Sequence, residues 1–234
     1  MVTETAIPVL TMAEIEDSPH YTIERDVVVG VDLGQSVDPT AIAVVERQTA
    51  RALVPPLAKV ADKVPARFAL RLLERIPLQT PYPDQADYVK AVLGRIPHTA
   101  GRVPVFLDFT GVGRPVFDIM RERRVPNVVP VTIGFAGDAG PNKAGGYYVP
   151  KLELISRVQS LLHRQVLDMP DKLPLVQAMR RELMDFRVTY SNSGNAQFGA
   201  RQGSHDDLIL ALALAVWGFG RKPIAVANLG YATR

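Results

Sequence analysis

Two stretches of the chain are apolar without interruption and then stop at a carboxylate. Residues 27–31 read Val-Val-Val-Gly-Val and lead into Asp32 and Gly34; residues 103–107 read Val-Pro-Val-Phe-Leu and lead into Asp108 and Gly111. An apolar run of this length with no alternation predicts a strand covered on both faces. "AIAVVER" (41–47) predicts a second strand, joined to the first by the turn "SVDPT", whose geometry Pro39 sets. "RFALRLLERIPL" (67–78) fits either period; a strand is expected, because the hairpin needs a partner and Pro77 ends the run. "NVVPVTIG" (127–134) predicts a further strand.

Helical spacing takes over between these runs. Residues 84–96 place Tyr88, Val89, Val92, Leu93 and Ile96 on one helical face, and residues 114–124 form the next helix. A helix over 150–164, with Pro150 near its start, turns Leu152, Ile155, Val158 and Leu162 inward. Another covers 173–186. Residues 187–202 predict a hairpin around Asn192-Ser193-Gly194-Asn195. The last helix, within 204–220, is so apolar that it must be buried on most sides. Strands in hairpins followed by strands alternating with helices predict an α/β domain over residues 26–220. Its expected form is a central mixed five-stranded sheet with helices on both faces and an added hairpin before the last helix. Residues 1–25 read as a leader or linker remnant, residues 51–66 with their three prolines as irregular, and residues 221–234 as a tail.

The 234 residues suffice for a substantial core. No run approaches the ~18 apolar residues of a membrane span, and the N-terminus lacks the pattern of a signal peptide. With no cysteine, disulfides, thiolate zinc sites and cysteine nucleophiles are excluded. The net charge is only +3, but its distribution is uneven. Arg51, Lys59, Lys63, Arg67, Arg71 and Arg75 form one basic stretch, and "RERR" (121–124) a second. Such patches suit phosphate backbones, although each alone reads first as a solvated face.

Asp32 and Asp108 end buried strands, and Asp206 and Asp207 open the last helix. The carboxyl ends of adjacent strands are where α/β folds gather ligands. Carboxylates brought together there repel one another unless a cation intervenes. A hard divalent ion with oxygen ligands meets that need, and two such ions activate water for phosphodiester hydrolysis. Each acid also has a structural reading. Asp32 and Asp108 suit turns or caps, and Ser204 with Asp207 three residues on fits a capping box. Two strands ending in acids, and so apolar a helix opening on two more, favour chemistry.

"VVVGVDLGQSVDPTAIAVVE", "VFLDFTGVGRPVFDIM", "YVPKLELISRVQSLLHR" and "GSHDDLILALALAVWG", in that order, resemble the nuclease domain of tailed-phage large terminase subunits, of the ribonuclease H-like superfamily. The resemblance spans about residues 25–220. It implies an endonuclease that uses two Mg²⁺ or Mn²⁺ ions to cut concatemeric double-stranded DNA during genome packaging in the host cytoplasm. The partners it implies are a portal, a small terminase subunit and an ATPase motor. By position, Asp32 and Asp108 match the first two metal-binding acids and Asp206 and Asp207 the terminal pair. Lys151 matches the basic residue of the "VPK" segment and is read as a phosphate contact; Arg121, Arg124, Arg187 and Arg201 are further candidate DNA contacts. Neighbouring helix residues point about 100° apart, so one of Asp206 and Asp207 must be the stronger ligand. Asp206 is expected in that role, with Asp207 as a second-site ligand or a cap. The motor that such proteins carry is not legible here, since "GDAGPNK" (137–143) lacks the spacing of a phosphate-binding loop. Other classes fit parts of the pattern. The first hairpin also resembles the phosphate loop of sugar kinases and actin-like ATPases, a Holliday-junction resolvase would share the acids, and a non-catalytic DNA-binding relic would share the basic patches.

Overall fold

β1 (Tyr21–Asp32) and β2 (Thr40–Ala52) pair antiparallel along their whole length, from Tyr21 opposite Ala52 to Asp32 opposite Ala41. The computed structural model describes residues 10–34, 38–97, 102–111, 113–142, 145–185, 187–190, 196–199 and 206–221. β3 (Arg67–Ile76) extends the hairpin on the β2 side. On the other side β4 (Val105–Asp108) and then β5 (Val128–Gly134) add in parallel. These are the five strands expected, and they stand together in the middle of the sheet. Short strands at both edges raise the total to eight: β6 (Gly140–Pro141) and β7 (Tyr147–Pro150) beyond β5, and β8 (Leu167–Asp168) beyond β3. Two-residue strands carry no periodicity, so β6 and β8 leave no trace in the sequence.

The alternation along β1 sorts its side chains between two cores. Val27, Val29 and Val31 face α3 (Tyr82–Gly94) and α4 (Gly113–Glu122), whereas Val28 faces α5 (Lys151–His163), α6 (Val176–Asp185) and α7 (Asp207–Gly218). Helices therefore cover both faces. α7 is buried along its whole length, and it lies very close to β1. A Cβ on Gly30 would stand 2.0 Å from the carbonyl oxygen of Ala211, so only glycine permits this packing. At the far end of α7, Trp217 packs edge-on against Phe106 and Tyr147, with centroids 5.9 and 5.2 Å away, and its indole N–H donates to Glu153 at 2.8 Å. Burying a ring of that size in place of solvent contributes on the order of 2–3 kcal/mol.

Several expectations need correction. β1 begins at Tyr21, so the boundary placed at residue 25 falls inside a strand. Before it, α1 (Met12–Glu16) carries a capping box between Thr11 and Glu14 and buries Met12 and Ile15 against Val64. The segment read as irregular contains a 3₁₀ turn (Pro55–Leu57) and one turn of helix, α2 (Ala58–Ala61). Tyr88 is exposed on α3 and donates to Glu74; the inward positions are Gln85, Ala86, Val89 and Val92. On α5 the inward set is Leu154, Ile155, Val158 and Leu161, with Leu152 exposed. Docking against α7 rotates that face by a fraction of a turn. The hairpin before α7 is present as β9 (Arg187–Tyr190) and β10 (Ala196–Gly199), a separate two-stranded sheet. Its tip and its link to α7 lie outside the described residues.

Candidate active site

The register of β1 with β4 brings Asp32 and Asp108 together. Val29 pairs with Val105, Gly30 with Phe106 and Val31 with Leu107, so the next step of the ladder sets the two acids side by side. Adjacent strands are about 4.8 Å apart, and both side chains fall on the face that α7 covers. Asp108 in turn stands beside Val131, Asp32 beside Ala41, and Ala41 beside Arg75. One row across five strands thus reads Val131, Asp108, Asp32, Ala41, Arg75.

The two acids are within hydrogen-bonding reach of each other. Desolvation pushes Asp32 well above the usual carboxylate range, and repulsion from Asp108, Asp206 and Asp207 pushes in the same direction. Burial also raises Asp108, less far, because the Thr110 amide donates to its Oδ1 at 2.8 Å and Lys151 lies near. The Thr110 hydroxyl in turn accepts from the Ile133 amide at 2.8 Å, tying the loop after β4 to β5.

α7 delivers the other two acids. Asp206 is its N-cap residue and accepts no role in capping; its Oδ2 meets Lys151 Nζ at 2.6 Å. Asp207 is the first helical residue, 2% exposed, and its carboxylate receives both arms of the Arg75 fork at 2.7 and 2.8 Å. The capping box read from Ser204 and Asp207 falls partly on residues that are not described. The helix begins at Asp207 itself, its side chain is committed to Arg75, and Ser204 lies outside the described residues.

Two participants were not anticipated. Arg75 was grouped with a solvated basic stretch, and Glu182 lies on an ordinary-looking helix, yet Arg75 Nη2 meets Glu182 Oε1 at 2.5 Å. The loop after Asp32 has its own support. Buried Gln85 donates to the Gly34 and Thr80 carbonyls at 3.0 and 2.9 Å, and the Thr40 hydroxyl accepts from the Gly34 amide and donates to Gln85. The available signal was helical spacing, since Gln85 precedes Val89 and Val92 by four and seven residues and so shares their inward face.

The remaining candidates are dispersed. Arg121 lies in the last turn of α4 and Arg124 in the turn just after it; α4 runs back from the loop after Asp108 to the opposite end of the sheet. Arg123, between them, pairs with Asp87 at 2.7 Å. Arg187 is in β9, and Arg201 lies outside the described residues.

Asp32 and Asp108 present hard oxygen donors whose negative charges oppose each other, the donor chemistry that suits Mg²⁺ or Mn²⁺. Mg²⁺ is commonly held by only one or two carboxylates, with water completing the octahedron. Among the described residues, no group of three carboxylate or imidazole side chains closes on one point. Asp206 is drawn to Lys151, and Asp207 to Arg75.

No family model matches the sequence, and no curated protein matches it. The fold has solved counterparts. It is similar to the large terminase nuclease from the thermophilic phage G20c with bound magnesium, at TM-score 0.56 and 22% identity, over 85% of this chain and 84% of that one. It is similar as well to the large terminase nuclease domain of Thermus phage P74-26, at TM-score 0.55 and 21% identity, over 85% of this chain and 82% of that one. The chain thus shares the fold of these two large terminase nucleases, the fold that the resemblance in its motifs implied. Among the described residues, no helix is long and apolar enough to cross a membrane.

Proposed function

We propose that the protein is a divalent-metal-dependent endodeoxyribonuclease that cuts concatemeric phage DNA during genome packaging. The observation that carries this reading is the side-by-side placement of Asp32 and Asp108 at the ends of parallel strands, under the helix that brings Asp206. The shared fold supports it, since one of the similar terminase nucleases holds magnesium.

Asp32 and Asp108 would hold the first ion, with Asp206 as the further ligand from α7. When bound, Mg²⁺ or Mn²⁺ supplies an activated water and neutralises charge on the phosphodiester. The protein's own part is positional. Thr110 fixes the Asp108 carboxylate, and Gln85 with Thr40 fixes the loop that follows Asp32. Lys151, at 2.6 Å from Asp206 and near Asp108, places a positive charge where a phosphate would approach. The portal, the small subunit and a packaging motor are the partners this reading implies, and the host cytoplasm its location.

The test is plasmid cleavage read on a gel in Mn²⁺, Mg²⁺ or EDTA. Nicking and linearisation are expected with either metal and none in EDTA, with loss of cutting in Asp32→Asn and Asp108→Asn. Affinity for duplex DNA should fall steeply with salt, as displaced counterions require. Metal-independent cutting, or ATP turnover without cutting, would sink the proposal. Activity confined to four-way junctions would move it to the resolvase class.

A further inference from the structure

Arg75 reaches Asp207 because β3 contains a bulge. The register with β2 jumps between Val44, which pairs with Leu72, and Val45, which pairs with Leu70, leaving Arg71 as the extra residue. Before the jump Phe68 and Leu70 face the α7 side; after it Leu73 does, and Leu72 and Ile76 face α3 and α4. Bulges re-aim side chains in this way. Without the extra residue the alternation would carry Arg75 to the opposite face. With it, Arg75 stands in the row of Asp108 and Asp32, opposite Ala41.

What Arg75 meets there is a closed cluster. Its Nε and Nη2 bind the two oxygens of Asp207 at 2.7 and 2.8 Å, and Nη2 also binds Glu182 Oε1 at 2.5 Å. Asp207 is 2% exposed and Glu182 7%. Bidentate Arg–carboxylate pairing fixes direction as well as distance. The cluster therefore joins the end of β3, the middle of α6 and the first residue of α7. Asp206, the residue before, has left the helical conformation (φ −126°, ψ 11°) and meets Lys151 instead.

We infer that Arg75 is a positioning residue for the site: with Glu182 it commits Asp207 to an internal brace, and so holds the start of α7 with Asp206 turned to the Asp32–Asp108 pair. This rests on the nuclease reading for the acids being positioned. The brace itself rests on contacts among β3, α6 and α7 alone. The competing role for Asp207 is a metal ligand that lets go of Arg75.

The two roles differ in sign. Melting is measured in EDTA, and Mn²⁺ binding by electron paramagnetic resonance, for the whole chain and for Asp207→Asn, Arg75→Met and Arg75→Lys. If Asp207 is a brace, Asp207→Asn and Arg75→Met both lower the metal-free melting temperature. The loss for Arg75→Met, which leaves two buried carboxylates unpaired, is on the order of 10 °C. The losses are not additive in the double variant, because both act on one contact. Arg75→Lys keeps the charge but not the fork, and serves if Arg75→Met does not fold. It should weaken Mn²⁺ binding roughly tenfold, the usual effect of loosening a group that supports a ligand. A cation near the site that acted only through its field would do the reverse, since Arg75→Met would then bind Mn²⁺ more tightly. Asp207→Asn as stable as the parent in EDTA, or Mn²⁺ binding unchanged or tighter in both Arg75 variants, overturns the inference. If the parent binds no Mn²⁺ at all, the nuclease reading fails, while the EDTA comparison still decides the brace.

Discussion

At Asp32 and Asp108 two carboxyls meet at the ends of parallel strands; burial pushes both above the ordinary range, and repulsion from Asp108 pushes Asp32 in the same direction. At Asp207 and Glu182 two carboxyls meet as well, but across a guanidinium that binds both. The residue types are alike and the two clusters share one end of one sheet. The difference is whether the counter-charge is built into the chain. Where it is supplied by Arg75, the acids are deeply buried and tied to neighbouring elements. Where it is not, the acids remain half-buried and electrostatically frustrated, the condition that a bound cation relieves. The second cluster still has an imbalance. One guanidinium serves two carboxylates, Asp207 takes both of its arms, and Glu182 is left with a buried Oε2 that has no hydrogen-bond partner among the described residues.

The sharpest way to break this comparison is to remove the frustration. Asp32→Asn or Asp108→Asn should abolish cleavage and yet stabilise the metal-free protein, because a raised pKa means that ionisation opposes folding. Denaturant melts in EDTA and in Mn²⁺ check both halves; loss of metal-free stability would show that the pair is structural. A comparable effect is expected in the second cluster, resolved by pH. Desolvation, with repulsion from Asp207, raises Glu182 from 4.5 to about 7. Between those values the folded state holds a proton that the unfolded state has released, so stability falls as pH rises through that window. The loss is at most about 3 kcal/mol, at 1.36 kcal/mol per unit. Glu182→Gln should flatten the metal-free profile between about pH 4.5 and pH 7. An unchanged slope there would assign the proton elsewhere. The smallest effect belongs to the loop support. Gln85→Ala, which frees the Gly34 and Thr80 carbonyls, should cost about 1–2 kcal/mol and lower cleavage by severalfold, with metal affinity nearly unchanged.

The first cluster was legible in the sequence and the second was not, for physical reasons. Asp32 and Asp108 interrupt runs so apolar that an acid at their ends demands a cause. The register that joins them follows from parallel pairing of two such strands. Arg75 is hidden by the bulge at Arg71, because counting in twos along β3 puts it on the wrong face. Glu182 is hidden by its setting in α6, where a glutamate at a polar-looking position reads as solvent-facing. The inward faces of α3 and α5 were legible to within one position, since Val89, Val92, Ile155 and Val158 were placed correctly. Docking angle, which sequence period does not encode, moved Tyr88 and Leu152 outward. The basic cluster at 121–124 is a case where composition does not report position. Its composition suggested a nucleic-acid surface, but the course of α4 carries it to the other end of the sheet from the acids.

The burial of α7 also has a consequence for the order of events during synthesis. Strands β1 to β5 emerge from the ribosome before α7 does, and domains fold from the N-terminal side as the chain lengthens. Until residues 207–218 arrive, the groove over Gly30 is empty and Val28, Phe106 and Val129 lack the cover that α7 gives them. A nascent chain at that stage is sticky and holds only half of the clustered acids. The candidate centre thus comes into being in one late step, when the last helix seats. A chain stopped before that helix lacks the complete candidate centre.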